Sequence, residues 1–141
     1  MDIGLAKQLT KSKSHNARAA GLRAIYYDAS NQKYKNLLSI AEEAVSDPSP
    51  HVRLWGVSLL AQLNDPQTVA IALRALEGVE VDDFLDFAVW SICREHRDRW
   101  VNEMKTKGEN PFESLSQLLF ASSAIGEPLG ADQILASISV S

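Results

Sequence analysis

Cysteine and long apolar runs are both scarce in this sequence, and familiar catalytic signatures are missing, so whole classes of function fall away. Cys93 is the only cysteine; within this chain it leaves no disulfide framework, CxxC zinc site or CxxCH haem attachment. No apolar stretch approaches the roughly 18 to 20 residues that span a bilayer, and no membrane insertion is expected. The opening MDIGLAKQLTKSKSH carries lysines but no continuous apolar core, so no signal peptide is expected. There is no GxGxxG, P-loop or GxSxG signature and no Ser-His-Asp order. Ser116, Ser122, Ser123, Ser137 and Ser139 read instead as close helix packing. Basic charge is short too. A net charge of −4 argues against a general nucleic-acid binder, which needs a basic face to displace counterions from phosphate. This segment is therefore expected to be no enzyme and to carry no cofactor.

What is present reads as one soluble globular domain: 141 residues, 45% hydrophobic and 23% charged. Its clearest stretch is Ser46–Asn64, SDPSPHVRLWGVSLLAQLN. Asp47 before Pro48 and Pro50 is a helix-start signal, with the Asp side chain as the expected cap. Val52, Leu54, Val57, Leu59, Leu60 and Leu63 then recur at helical spacing until Asn64-Asp65-Pro66 stops the run.

The same pattern extends both ways. Ile3, Leu5, Ala6 and Leu9 predict a short amphipathic helix, followed by a polar loop in which Ser14 is the next cap. His15–Ala29 predicts a helix with Ala17, Ala20, Leu22, Ile25 and Tyr26 inside, and Tyr34–Val45 another with Leu37, Leu38, Ala41 and Val45 inside. After Pro66, QTVAIALRALEG predicts a helix closed by Gly78. Asp82-Asp83 opens the next, with Phe84, Phe87, Ala88, Trp90, Ile92 and Cys93 as its apolar content. Asp98 caps a shorter helix ended by Gly108, Asn110-Pro111 starts another, and Pro128–Ser139 is the last. No strand-like alternation interrupts them, so the fold class is all-α.

Aligned, these helices repeat at a period near 35. His15, His51 and Asp83 begin equivalent segments. Ala17, Val52 and Phe84 share one slot, and Arg18 and Arg53 the next, where the third copy has Leu85. Gly21, Gly56 and Ala88 share a third, and Leu22, Val57 and Val89 a fourth. A glycine inside a helix costs about 1 kcal/mol relative to alanine, so a recurring small residue implies close helix approach. Self-similarity at this period implies an α-α superhelix, a solenoid of about four helical hairpins over 15–45, 47–77, 82–107 and 111–139.

The Asp47, Pro48, Val52, Arg53 signature resembles HEAT repeats. Three strings, ARAAGLRAIYYDA (Ala17–Ala29), DPSPHVRLWGVSLLAQL (Asp47–Leu63) and VDDFLDFAVWSICREHRDRW (Val81–Trp100), are similar to the HEAT region of large planctomycete-type proteins described as membrane-bound dehydrogenases or haem-binding proteins. In that family a sugar-dehydrogenase-like propeller precedes the array and a c-type cytochrome domain follows. Neither is present here, so the resemblance implies a spacer and transfers no catalytic or haem-ligand residue.

Several residues invite sharper readings. Arg18 and Arg53 form either an anion-binding column or an internal ladder pairing with Asp47 or Asp28, and the ladder is preferred because Leu85 breaks the column. Glu77, Glu80, Asp82, Asp83 and Asp86 concentrate carboxylates, but their spacing is not that of an EF-hand, and acids at a helix start complement its dipole without a metal. Cys93 and His96 lie three apart, yet two ligands do not make a site. Trp55, Trp90 and Trp100, with Tyr26, Tyr27 and Phe87, read mainly as core, with a ligand groove as the alternative.

The expected function is protein–protein interaction or scaffolding, with a protein partner or flanking domains of the same chain. The second helices of the hairpins are the expected binding surface: Asn36, Ser39 and Glu43, then Gln67 and Arg74, then Arg99 and Glu103. The alternative is the spacer of a multidomain haem-containing oxidoreductase. A HEAT-like DNA-repair protein ranks third, and no nucleic acid is expected. A stand-alone module implies the cytoplasm, a fragment of the haem-binding family an extracytoplasmic site.

Overall fold

The computed structural model describes residues 3–28 and 36–126, and the regular elements among them are all helical. In chain order they are α1 (Ile3–Leu9), α2 (His15–Tyr27), α3 (Leu37–Val45), α4 (Pro50–Ala61), α5 (Thr68–Leu73), α6 (Asp83–Glu95), α7 (Arg97–Lys107) and α8 (Leu115–Ile125). The expected all-α class holds for these residues. The expectations for Tyr34 and for a last helix over 128–139 fall outside the described residues. The chain divides into two compact units, Met1–Val89 and Trp90–Ser141.

In the first unit α4 packs on α2, α3 and α5, while α1 packs on α2 and α5 on α3. The start of α4 follows from proline. Pro50 pushes the residue before it out of the helical region, so Ser49 takes the extended conformation of a cap and its hydroxyl accepts the Val52 N–H. The cap is thus Ser49 and not Asp47. The Asp47 carboxylate instead accepts the Ser49 N–H at 2.9 Å and is left to pair elsewhere. Ser14 caps α2 as expected, accepting the Ala17 N–H.

The repeat register survives in the core. Leu22 and Ile25, Val57 and Leu60, and Val89 and Ile92 are equivalent pairs, and each residue is at most 2% exposed. Each such side chain contributes roughly 1.5–3 kcal/mol by leaving water. The first slot does not survive: Val52 is buried, Ala17 is half-buried, and Phe84 is 76% exposed. Phe87, also expected inside, is 63% exposed. The α6 helix offers two apolar stripes one position apart, and Leu85, Val89 and Ile92 turn inward while the phenylalanines turn out.

Gly21 and Gly56 do mark close approaches. A Cβ on Gly56 would lie 2.8 Å from the Ala44 Cβ, and one on Gly21 would lie 2.7 Å from the Ala6 carbonyl oxygen. Helix α3 therefore presses on α4, and α1 on α2, where no side chain intervenes. The predicted QTVAIALRALEG helix is shorter than expected: α5 ends at Leu73 and tightens into a 3-10 turn, Arg74–Leu76.

In the second unit Trp100 is buried, its indole N–H donating to the Cys93 carbonyl at 2.9 Å, with its ring 5.4 Å from that of Phe112. His96, not Asp98, occupies the cap position of α7. Helix α8 starts later than Asn110-Pro111 suggested. Asn110 winds residues 110–114 into a turn by accepting the Phe112 N–H and donating to the Ser114 carbonyl, and Ser114 then caps the helix.

Candidate binding groove

Between α2 and α4 the first unit carries an open groove of about 470 Å³. Along α2 the lining residues Asn16, Ala20, Ala24 and Tyr27 recur at i, i+4, i+8 and i+11, a straight row about 16 Å long at 1.5 Å per residue. From α4 come His51 and Trp55, one turn apart. The alanines make the depression, since their short side chains leave the helix surface low. Ala20, expected in the core, is exposed and lies in this row.

Aromatic rings crowd one end. Tyr26 and Trp55 lie 5.5 Å apart at 63°, Tyr27 and Trp55 6.1 Å apart at 64°, and Tyr26 and Tyr27 4.9 Å apart at 89°. These are edge-to-face arrangements, the favourable geometry for ring quadrupoles. Tyr27 is 68% exposed, so the cluster is half core and half surface. The Arg23 guanidinium sits 5.8 Å from the centre of the Tyr27 ring. Arg23 and His51 line the groove, and among the described residues no carboxylate does.

Behind the groove the two arginines of the repeat form the internal ladder. Arg18 grips Asp47 with both ends of its fork, Nε to Oδ2 at 2.8 Å and Nη2 to Oδ1 at 3.0 Å, and its Nη1 donates to the Ser12 and Lys13 carbonyls. Burial raises the Asp47 carboxyl, but the Arg18 and Ser49 hydrogen bonds and the charges of Arg18 and Arg53 outweigh it and hold the group below its ordinary range. Arg53, 6% exposed, donates to the carbonyls of Asp47, Ala75 and Glu77. It therefore ties the loop before α4 to the end of the same hairpin. Neither arginine is available as an anion column.

The seven residues expected to bind lie elsewhere. Asn36, Ser39 and Glu43 are exposed at and on α3, with Glu43 paired to Lys11 at 3.0 Å. Gln67 is exposed before α5, its N–H donating to the Asp65 carboxylate, and half-buried Arg74 pairs with Glu42 at 3.2 Å. Arg99 is exposed on α7, and half-buried Glu103 pairs with Lys107 at 3.0 Å. The first five belong to the first unit and the last two to the second; none of the seven lines the groove.

The remaining candidates have structural uses. Asp82 accepts the Leu85 N–H at 2.8 Å at the start of α6. Among the described residues no group of three or more His, Cys, Asp or Glu is placed to hold a metal ion. Burial pushes the Cys93 thiol up to about 12, far from the reactive thiolate range. Burial and the Arg99 charge lower His96. No described helix is long and apolar enough to cross a membrane. Comparison of the chain with models of protein families, with curated proteins and with solved structures found no match.

Proposed function

We propose that this chain is a non-catalytic protein-interaction module built of HEAT-like helical hairpins, with the α2–α4 groove as a binding surface. The observation that carries the reading is the groove itself. A 68% exposed tyrosine and a half-exposed tryptophan stand over a row of alanines on two helices whose inner faces are fully packed. Aromatic anchors on a rigid scaffold are what protein interfaces favour, because they bury much area while losing little conformational freedom. Support for stacked hairpins comes from the packing of first helix on first, α2 on α4, and of second on second, α3 on α5.

The test compares two faces. The wild-type chain and two variants are used as baits in extract of the source cells, and a protein retained by the wild type is then purified and titrated against each. One variant is Tyr27→Ala; the other carries Arg74→Glu and Arg99→Glu. Loss of affinity in a Tyr27→Ala chain that remains folded at the assay temperature supports the groove. Loss only in the double variant moves the surface to the second helices. Equal affinity for all three refutes both surfaces.

A further inference from the structure

The groove has a chemical complement on the chain's own surface. Asp82, Asp83 and Asp86 are exposed on and beside the first turns of α6, around Phe84 and Phe87, which are 76% and 63% exposed. Residues three apart on a helix are neighbours, about 5–6 Å between Cβ atoms, so the two rings stand side by side. Leu85 and Val89 are fully buried, which holds the helix while its aromatic edge faces out. Two adjacent exposed phenylalanines are an unusual use of large apolar side chains. Here they sit where the spacing of the sequence predicts core, the kind of local departure that marks a surface kept for contact.

Charge and shape match across the pair. Among the described residues the groove offers Arg23 and His51, two rings and no carboxylate; the α6 edge offers three carboxylates and two rings. Arg23 has no ion-pair partner among the described residues, its one contact there being the Tyr27 ring. A nucleic acid fits poorly, since one arginine and one histidine neutralise too few phosphates to hold it.

We propose that the α2–α4 groove takes the Asp83–Phe87 edge of a second copy of this chain, with Phe84 and Phe87 against Tyr27 and Trp55 and Asp86 paired with Arg23. This rests on the reading of the groove as a binding surface and names one occupant for it. The groove and the α6 edge are different surfaces, so the contact is either exchanged reciprocally in a pair or propagated head to tail. One helix edge in one groove is smaller than the roughly 1,200 Å² of a stable complex, so the copies exchange and associate only when concentrated.

The experiment is sedimentation equilibrium of the purified chain from micromolar to near-millimolar concentration. The weight-average mass of the wild type is expected to rise with concentration. Phe84→Ser and Arg23→Glu, both at exposed positions, are each expected to stay monomeric over the same range with unchanged helical circular dichroism and melting. Mixing the Arg23→Glu chain with an Asp86→Arg chain is expected to restore association, because each supplies the charge the other lacks. A wild type that stays monomeric throughout, or association that persists in Phe84→Ser, overturns the proposal. A monomeric wild type whose separate partner is still lost on Tyr27→Ala overturns self-association alone and leaves the binding groove standing.

Discussion

Replacing Gly56 by alanine sets two physical effects against each other with opposite signs. In the middle of an exposed helix the change stabilises by about 1 kcal/mol, because glycine loses more backbone freedom on folding. At Gly56 the added Cβ would lie 2.8 Å from the Ala44 Cβ, 3.0 Å from the Val45 amide nitrogen and 3.1 Å from the Ala44 carbonyl carbon. All three are well inside the 3.5–4.0 Å optimum for carbon contacts. Two of them are backbone, so relief requires α3 to move as a body. Overpacking of this kind costs about 1–3 kcal/mol, and backbone neighbours place it at the upper end. The expected net loss is about 2 kcal/mol, or roughly 5–10 °C in melting temperature for a chain of this size. Thermal and urea melts followed by circular dichroism measure it, with Ser39→Ala on exposed α3 as the control in which only the small propensity gain remains. Combining Gly56→Ala with Ala44→Gly removes the shortest contact and should recover part of the loss. A Gly56→Ala chain that melts at or above the wild type refutes the close approach of α3 and α4.

Two further outcomes follow from titrating groups. Asp47 is held below its ordinary range, so above about pH 5 it is ionised in both folded and unfolded chains and its stabilisation is fully present. That stabilisation is lost as pH falls through the lowered folded value; acid melts of the wild type should therefore drop more steeply between about pH 5 and 2 than those of Asp47→Asn, and parallel profiles contradict the pairing with Arg18. Cys93, raised to about 12 by burial, should resist iodoacetamide in the folded chain at mildly alkaline pH and react only as fast as the chain opens. Labelling at the rate of an unfolded peptide would place the thiol at the surface.

Much of the helical framework was legible because its signals are local. Ser14 sits before an apolar period, Gly56 repeats Gly21 at the interval of the hairpins, and Pro66 ends a run. The misses are also instructive. Asp47 and Ser49 both precede a proline, and only the restriction Pro50 places on its neighbour makes the serine the cap. Phe84 and Leu85 open two stripes of equal helical period, and which stripe turns inward depends on packing that no single helix encodes. Arg53 is expected to pair internally with an aspartate, and it is buried, but what converges on it is three backbone carbonyls, two of them more than twenty residues away. The groove was hidden for a similar reason: its floor is alanine, which serves equally in a core or in a depression. Its aromatics stand out in the sequence as a set, but only the crossing of α2 and α4 brings Tyr27 to Trp55.

The most direct measurement is the affinity of the chain for the protein it retains from its source cells, taken side by side for wild type and Tyr27→Ala. If the groove is the binding surface, losing an exposed aromatic anchor weakens binding by about 10-fold or more, the scale of a truncated interface hot spot. The melting temperature should fall only modestly, because Tyr27 is mostly in solvent and loses only its edge contacts with Tyr26 and Trp55, worth about 0.5–1.5 kcal/mol each. Affinity equal to that of the wild type would contradict the groove as the site of recognition.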